Sequence, residues 1–191
     1  MWQKILYWLV MHFGEGLKKK SKLTLPHPEE LPDYTRTIDN IFVPAVMEKW
    51  FAQWQVPAEY HNFWRSKVVV EVKDTVPYHA SGVAAATAWE KDGVRYVVAL
   101  PAWFNAGVLA HEASHVSYGL LTDKEKSDFA ILYSIEKERD PLIKYLYSIN
   151  NYGLTSVIEG HAEIYRYLGI EKMPIQLIGY YPKLYYEEVQ E

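Results

Sequence analysis

Hydrophobic residues form strand-like runs between residues 67 and 100 and recur at helical spacing after them, and the strand-like runs predict a small sheet. A Val-rich run at 67–73 predicts a buried strand. Two further strand-like runs follow at 84–90 and 94–100, on either side of Lys91-Asp92-Gly93. Because Asp-Gly between two such runs is a strong turn signal, they predict a β-hairpin at the edge of a small mixed sheet.

From residue 101 onward the spacing of hydrophobic residues becomes helical. Gly119 and Gly169 are natural residues to end the first and the last of the helices. A small sheet followed by several helices is an α+β fold. Helices are predicted over 105–119, 123–139, from 141 onward and 155–168, with an earlier helix in 38–54 and a partly helical, Tyr-rich tail at 174–191.

Polar residues and prolines mark where these helices start. Asn105, or the loop before it, opens the first helix. Thr122 and Glu125 have the spacing of a capping box, in which each residue bonds the backbone N–H group of the other. Asp140 precedes Pro141, and proline is favoured at the first position of a helix.

Residues 1–36 form a segment that we separate from the domain at 37–191. Hydrophobic residues within 2–13 recur at helical spacing, which predicts an amphipathic helix docked on the domain. An interfacial membrane anchor is a less favoured interpretation of the same residues. Residues 21–36 contain three prolines and predict an extended linker. A removable or inhibitory arm is the third interpretation of the whole segment.

Composition narrows the chemistry that the chain can perform. The 191 residues are 49% hydrophobic and include no cysteine. Disulfides, Fe–S clusters and thiolate metal sites are therefore excluded, and a metal site must use His, Asp or Glu. A net charge of −4 gives no reason to expect a nucleic-acid partner. No secretory signal or membrane-spanning run is recognised, so the default expectation is a cytoplasmic protein.

The strongest chemical signal is His111-Glu112-Ala113-Ser114-His115, which matches H-E-x-x-H within a predicted helix. His111 and His115 are four residues apart, so both imidazoles lie on one helix face and can bind one ion. Glu112 leaves that face at an angle and can stand over the open position of the metal as general base and acid. Polar residues on the inner side of a helix need partners, and we therefore predict a metal site here.

A catalytic zinc ion needs a third protein ligand and one open position. The best candidates lie in a later helical stretch, where Glu159 and Glu163 share one face and His161 points elsewhere. One carboxylate can bind the metal while the other accepts a hydrogen bond from a ligating imidazole. Gly160 beside them permits close approach of another helix backbone.

These two motifs, HEASH at 111–115 and EGHAE at 159–163, resemble those of the gluzincin metallopeptidases, in particular the small minigluzincin-type scaffolds. The resemblance covers about residues 67–170. It implies a zincin-like fold, Zn²⁺ as cofactor, Glu159 as third zinc ligand and Glu163 as the support of a zinc-bound histidine, although Asp is commoner there. His161 stands where the family often has an apolar or aromatic residue, which leaves His161 as an alternative ligand.

The predicted hairpin is similar to the upper-rim strands of the same family, whose edge strand binds an extended peptide by main-chain pairing. The resemblance implies substrate binding along the strand with Ala86, Ala88 and Trp89, where small residues leave room for a peptide. An ordinary hairpin with Trp89 in the core fits the pattern equally well. Tyr152 and Tyr165 are candidates for the donor that stabilises an oxyanion, although a single tyrosine more often serves packing.

We therefore expect a zinc-dependent metallopeptidase that hydrolyses a peptide or protein substrate. The enzyme would be latent if residues 1–36 cover its cleft. The alternative is a catalytically silent zinc-binding regulatory or interaction protein on the same scaffold. Retention of Glu112 beside the first histidine favours the enzyme.

Overall fold

The structure, a computed structural model, describes residues 37–76 and 85–185. The predictions for residues 1–36 lie outside the described residues. Within the described ranges, seven α-helices and a three-stranded sheet form the predicted α+β fold. The elements are α1 Val43–Gln53, α2 Ala58–Lys67, β1 Val68–Val72, β2 Ala86–Lys91, β3 Val94–Ala99, α3 Ala106–Leu120, α4 Asp123–Arg139, α5 Pro141–Ile149, α6 Val157–Lys172 and α7 Ile175–Ile178.

The sheet is mixed and has the strand order β1-β3-β2. β3 pairs in parallel with β1 and antiparallel with β2, so β2 and β3 form the predicted edge hairpin. Its turn places Asp92 and Gly93 at φ values of 53° and 75°, the left-handed values that a two-residue hairpin turn requires. The prediction of a buried first strand is wrong for most of β1, because β1 lies at the other edge and only Val68 is buried.

The predicted starts of three helices are confirmed. The side chain of Asn105 accepts a hydrogen bond from a backbone N–H group in the first turn of α3. Thr122 and Glu125 form the complete capping box at α4. Asp140 caps α5, and Pro141 is the first residue of that helix. Short polar side chains at these positions satisfy N–H groups that have no partner within the helix.

The two glycines placed at helix ends behave differently. α3 ends at Leu120, so the predicted end near Gly119 is confirmed to within one residue, although Gly119 lies inside the helix and does not follow it. Gly169 adopts φ 61° and ψ −175° and breaks the helical geometry of α6, as predicted, although helical turns resume to Lys172. A φ of this sign is readily adopted by glycine and rarely by other residues.

The core forms around α3, which packs against α6, α1 and the hairpin. α2, which the sequence analysis did not predict, adds Trp64, whose ring packs edge-on against Trp50 of α1 with centroids 5.0 Å apart. Because α3 is enclosed by these elements, its polar residues face protein groups. Among the described residues, no helix is both long and apolar enough to cross a membrane.

Candidate metal centre

Four polar residues of α3 are buried, and three of them belong to the HEASH motif. His111, Glu112 and Ser114 are 7%, 4% and 0% exposed. Burying polar side chains costs free energy unless other groups satisfy them. The partners of these residues therefore indicate what this part of α3 can bind.

His111 and His115 direct their Nε2 atoms to one point, and these two atoms lie 3.0 Å apart. Glu159, in the first turn of α6, places Oε2 3.2 Å from Nε2 of His111 and 3.5 Å from Nε2 of His115. Atoms bound tetrahedrally to zinc at 2.0–2.1 Å lie roughly 3.3 Å from one another. The three donor atoms thus have a spacing that fits one metal ion with tetrahedral coordination, such as zinc.

Glu163 lies one helical turn after Glu159 and holds the other side of the His111 ring. Its Oε1 accepts a hydrogen bond of 2.7 Å from Nδ1 of His111 and lies 3.3 Å from the Arg166 guanidinium. Its Oε2 accepts a hydrogen bond from the side-chain amide of Asn150. With a proton on Nδ1 in this bond, a neutral His111 ring would have the lone pair of Nε2 free for a metal ion.

Burial and neighbouring charged groups have opposite effects on the pKa values of His111 and Glu159. Burial alone would lower the pKa of His111, but the carboxylates of Glu159 and Glu163 outweigh burial and raise the pKa to about 10. Burial alone would raise the pKa of Glu159, but the adjacent imidazoles of His111 and His115 hold that pKa well below the usual value. Without a metal the group holds a proton on His111 beside an ionised Glu159. A divalent cation bound by these residues would displace that proton.

Glu112 is placed to exchange a proton at this site. It lines the same cleft as the two histidines, and its buried Oε2 accepts no hydrogen bond from the described residues. Burial raises the pKa of this carboxyl group above its usual value, and the neighbouring His111 and His115 oppose that shift. A carboxyl group with a raised pKa is suited to both accept and release a proton near neutral pH.

The histidines lie in a cleft of about 580 Å³. This volume falls in the range of about 300–1,000 Å³ that is typical of pockets for small ligands. Residues 86–88 of the edge strand β2 contribute to the lining, and so do Tyr118, Lys126 and Ile158. Ala86 and Ala88 therefore lie beside the cleft. Trp89 lies outside this lining and stacks on Tyr96 of β3, with ring centroids 5.2 Å apart.

Tyr152 and Tyr165 take different places in the structure. Tyr152 lines the cleft, and its ring centroid is 6.0 Å from that of His111. Burial and the nearby Glu159 carboxylate raise the pKa of Tyr152, so its phenol stays protonated and can donate a hydrogen bond. Tyr165 is fully buried in the hydrophobic core and does not line the cleft.

His161, the alternative ligand, is fully buried and uses both ring nitrogens elsewhere. Nε2 donates a hydrogen bond of 2.7 Å to the backbone carbonyl of Tyr180, and Nδ1 accepts one of 2.7 Å from the Ser114 hydroxyl. Burial lowers the pKa of His161 to about 3 and keeps the ring neutral. The ring joins α6 to α3 and to the end of the described chain, and it does not face the ligand group.

Several residues of the site were not found by sequence reasoning. Ser114 occupies one of the two unspecified positions of the H-E-x-x-H motif, so the sequence gives no sign of its hydrogen bond to His161. The structure shows that Ser114 is fully buried and therefore needs such a partner. Arg166 follows Glu163 by three residues, a spacing that signals a helix ion pair and could have been noticed. Asn150 lies in a connection between helices, where no periodicity indicates a contact with Glu163. Lys126 lines the cleft, and nothing in the sequence around it predicts this position.

Comparison of the chain with protein-family models, with curated proteins and with solved structures found no match. The resemblance to gluzincins therefore rests on the HEASH and EGHAE motifs, and the function must be argued from the geometry of the site.

Proposed function

We propose that the chain is a zinc-dependent metallopeptidase. One observation carries the proposal: the donor atoms of His111, His115 and Glu159 lie 3.0–3.5 Å apart in a cleft that also contains a buried carboxyl group and an edge strand. A set of two imidazoles and one carboxylate is typical of catalytic zinc, whereas structural zinc sites are usually closed by four ligands. Glu112 beside the open position favours hydrolysis over purely structural binding.

The roles of the protein groups follow from their positions. Bound zinc would polarise the scissile carbonyl group and lower the pKa of the attacking water. Glu112 accepts a proton from that water on its carboxylate and passes the proton to the leaving amine. Glu163 keeps the His111 ring in one orientation through the bond to Nδ1. Tyr152 donates a hydrogen bond toward the oxygen on which negative charge develops.

β2 offers the backbone groups that would hold the substrate. It pairs with β3 on one side only within the described sheet, and residues 86–88 border the cleft. An extended peptide can add to such an edge through main-chain hydrogen bonds. Ala86 and Ala88 are small, so a peptide can approach the strand without displacing large side chains at these positions.

Replacement of Glu112 by Gln tests the catalytic role. The amide has nearly the same shape but cannot take a proton, so we expect zinc content to be retained and peptide hydrolysis to fall by a factor of about 100 or more. Zinc by elemental analysis and digestion of a broad peptide library are the measurements. Glu138→Gln, on the exposed surface of α4, is the matched control and should keep both properties. Undiminished hydrolysis by Glu112→Gln would refute the role of Glu112.

Replacement of Glu159 by Ala tests the ligand set. Loss of one of three protein ligands should strongly lower zinc affinity, whereas His161→Gln should leave the ligand set intact because both nitrogens of His161 are bonded elsewhere. Zinc titration of the purified apoprotein is the measurement, with cobalt and iron(II) as competing ions because the same donor set can bind them. Zinc binding by the wild-type chain without hydrolysis of any library peptide would instead support a silent zinc-binding protein.

A further inference from the structure

Lys126 gives one part of the cleft a positive charge. It lies in the first turns of α4, and of the described residues that line the cleft it alone carries a permanent positive charge. Its side chain is one-third exposed, and Nζ lies over the Tyr118 ring, 6.0 Å from the ring centroid. Tyr118 follows His115 by three residues on α3, so the ring that contacts the ammonium group lies one helical turn from a histidine of the candidate ligand set.

Among the described residues, only a weak ion pair neutralises the ammonium group of Lys126. Oδ1 of Asp123 lies 3.9 Å away, and the Asp123 side chain is fully exposed to solvent. An ion pair of that length and exposure contributes little and is screened by salt. The carboxyl groups inside the cleft belong to Glu112 and Glu159, which are engaged with the histidines. Lys126 therefore keeps its charge available for a molecule bound in the cleft.

We propose that the cleft selects peptides that present a carboxylate to Lys126. This inference rests on the proposed function, because it assigns a substrate class to the same site. The chain is acidic overall, with a net charge of −4, so a peptide carboxylate needs a local cation to bind favourably, and Lys126 supplies one at the cleft. A carboxylate paired with a partly shielded ammonium group makes a charge-assisted hydrogen bond. The carboxylate can come from an Asp or Glu side chain or from the C-terminus of the peptide.

The test measures binding, so that it does not depend on turnover. Zinc-loaded protein with Glu112→Gln is titrated with fluorescent octapeptides in which a single glutamate moves along an otherwise constant sequence. Each peptide is compared with its glutamine counterpart, and each is made with a free and with an amidated C-terminus. The titrations are repeated with Lys126→Met and Lys126→Arg added. Lys124→Met is the matched control, because Lys124 lies on the same helix, pairs with Asp128 and does not line the cleft.

We expect glutamate at one position, or a free C-terminus, to tighten binding at least about threefold over its neutral counterpart. The position series identifies a side-chain carboxylate, and amidation identifies the C-terminus. Lys126→Met should abolish the preference, whereas Lys126→Arg and Lys124→Met should keep it, and added salt should weaken it.

Equal binding of acidic and neutral peptides, or a preference that survives Lys126→Met, would overturn the inference. Failure of the wild-type enzyme to cleave any peptide that it binds would count against the peptidase alone, since the binding preference is measured separately. Both lysines are on the surface of α4, and unchanged thermal unfolding midpoints show that the variants fold.

Discussion

At the scale of single residues, His161 is the clearest case of a polar side chain whose contacts stabilise the fold and leave it unable to bind a metal. Its ring stacks on Tyr181 with centroids 3.9 Å apart, and its two nitrogens bond Ser114 and the carbonyl of Tyr180. The titratable groups around it are Tyr118, Tyr181 and, at longer range, His115. None of these described groups is a carboxylate, and the hydrogen bond to the Tyr180 carbonyl only partly offsets the effect of burial on the pKa of His161.

The neutral state of His161 predicts how stability depends on pH. In the folded protein, burial lowers the pKa of His161 to about 3, whereas in the unfolded chain the pKa is about 6.5. The unfolded state therefore binds the additional proton first, and the contribution of His161 is complete above pH 6.5 and is lost as pH falls toward 3. The expected loss is about 1.4 kcal/mol per pH unit below 6.5.

Urea unfolding of the apoprotein between pH 7.5 and 5 measures this slope. His161→Gln should be less stable at pH 7.5. Its free energy of unfolding should also depend less steeply on pH in this interval, by the slope that one titrating proton causes. His61, half-buried beside Phe51, provides the control, and His61→Gln should leave the slope from His161 in place. An unchanged slope in His161→Gln would mean that other groups cause the acid sensitivity.

The sequence predicts the residues of this site better than their surroundings. The spacing of His111 and His115 follows from the helical period, and Glu159 and Glu163 likewise share a face of α6. The contacts of Ser114 and Asn150 depend on how helices far apart in sequence are packed, and no local pattern encodes that packing. Such contacts could only be found from the three-dimensional structure.

At the scale of elements, Gly160 sets how closely α6 approaches α4. The sequence predicts close approach of a helix backbone at this glycine, but the neighbour is the Tyr133 ring of α4, and that prediction is corrected. A Cβ atom at residue 160 would lie 2.6 Å from Cε2 of Tyr133. Tyr133 is buried, and its hydroxyl donates a hydrogen bond of 2.8 Å to the Gly153 carbonyl, so the ring cannot move aside freely.

Gly160→Ala should therefore destabilise the fold, even though alanine favours a helix. Overpacking of this kind costs about 1–3 kcal/mol. The matched control is Gly119→Ala in α3, where no atom lies within 4 Å of the added Cβ and helix propensity should stabilise by up to about 1 kcal/mol. Urea midpoints of the two variants should move in opposite directions. A Gly160→Ala protein as stable as the wild type would show that Tyr133 yields at little cost.

The elements differ in how well sequence patterns anticipate them. The hairpin, α4 and α5 have strong local signals in Asp-Gly, a capping box and Asp-Pro, and all are found as predicted. α2 has no such cap, and its Trp64 is buried through contacts with α1. β1 is less buried than its run of valines indicates, because the order of strands places it at an edge. Strand order is a property of the whole sheet, which the composition of one strand does not determine.

At the scale of the whole molecule, a metal bound by His111, His115 and Glu159 would join two long helices that also carry much of the core. α3 and α6 pack together, and the chain between them forms α4 and α5. The unfolded chain cannot hold these ligands in one place, so binding energy for zinc adds to the free energy of unfolding. The metal-free group, with a proton on His111 beside the ionised Glu159, provides a weaker link between the same helices.

Zinc should therefore raise the thermal unfolding midpoint of the apoprotein, and a chelator should reverse the rise. At a free zinc concentration of about 100 times the dissociation constant, the gain is about 2.7 kcal/mol. For a chain of this size that corresponds to roughly 5–10 °C. Calorimetry of apoprotein with and without zinc measures the shift. Glu159→Ala should remove most of it because one ligand on α6 is lost, whereas Glu138→Gln should retain it. An equal rise in wild type and Glu159→Ala would place the stabilising ion elsewhere, since the candidate ligand group found among the described residues takes its one α6 ligand from Glu159.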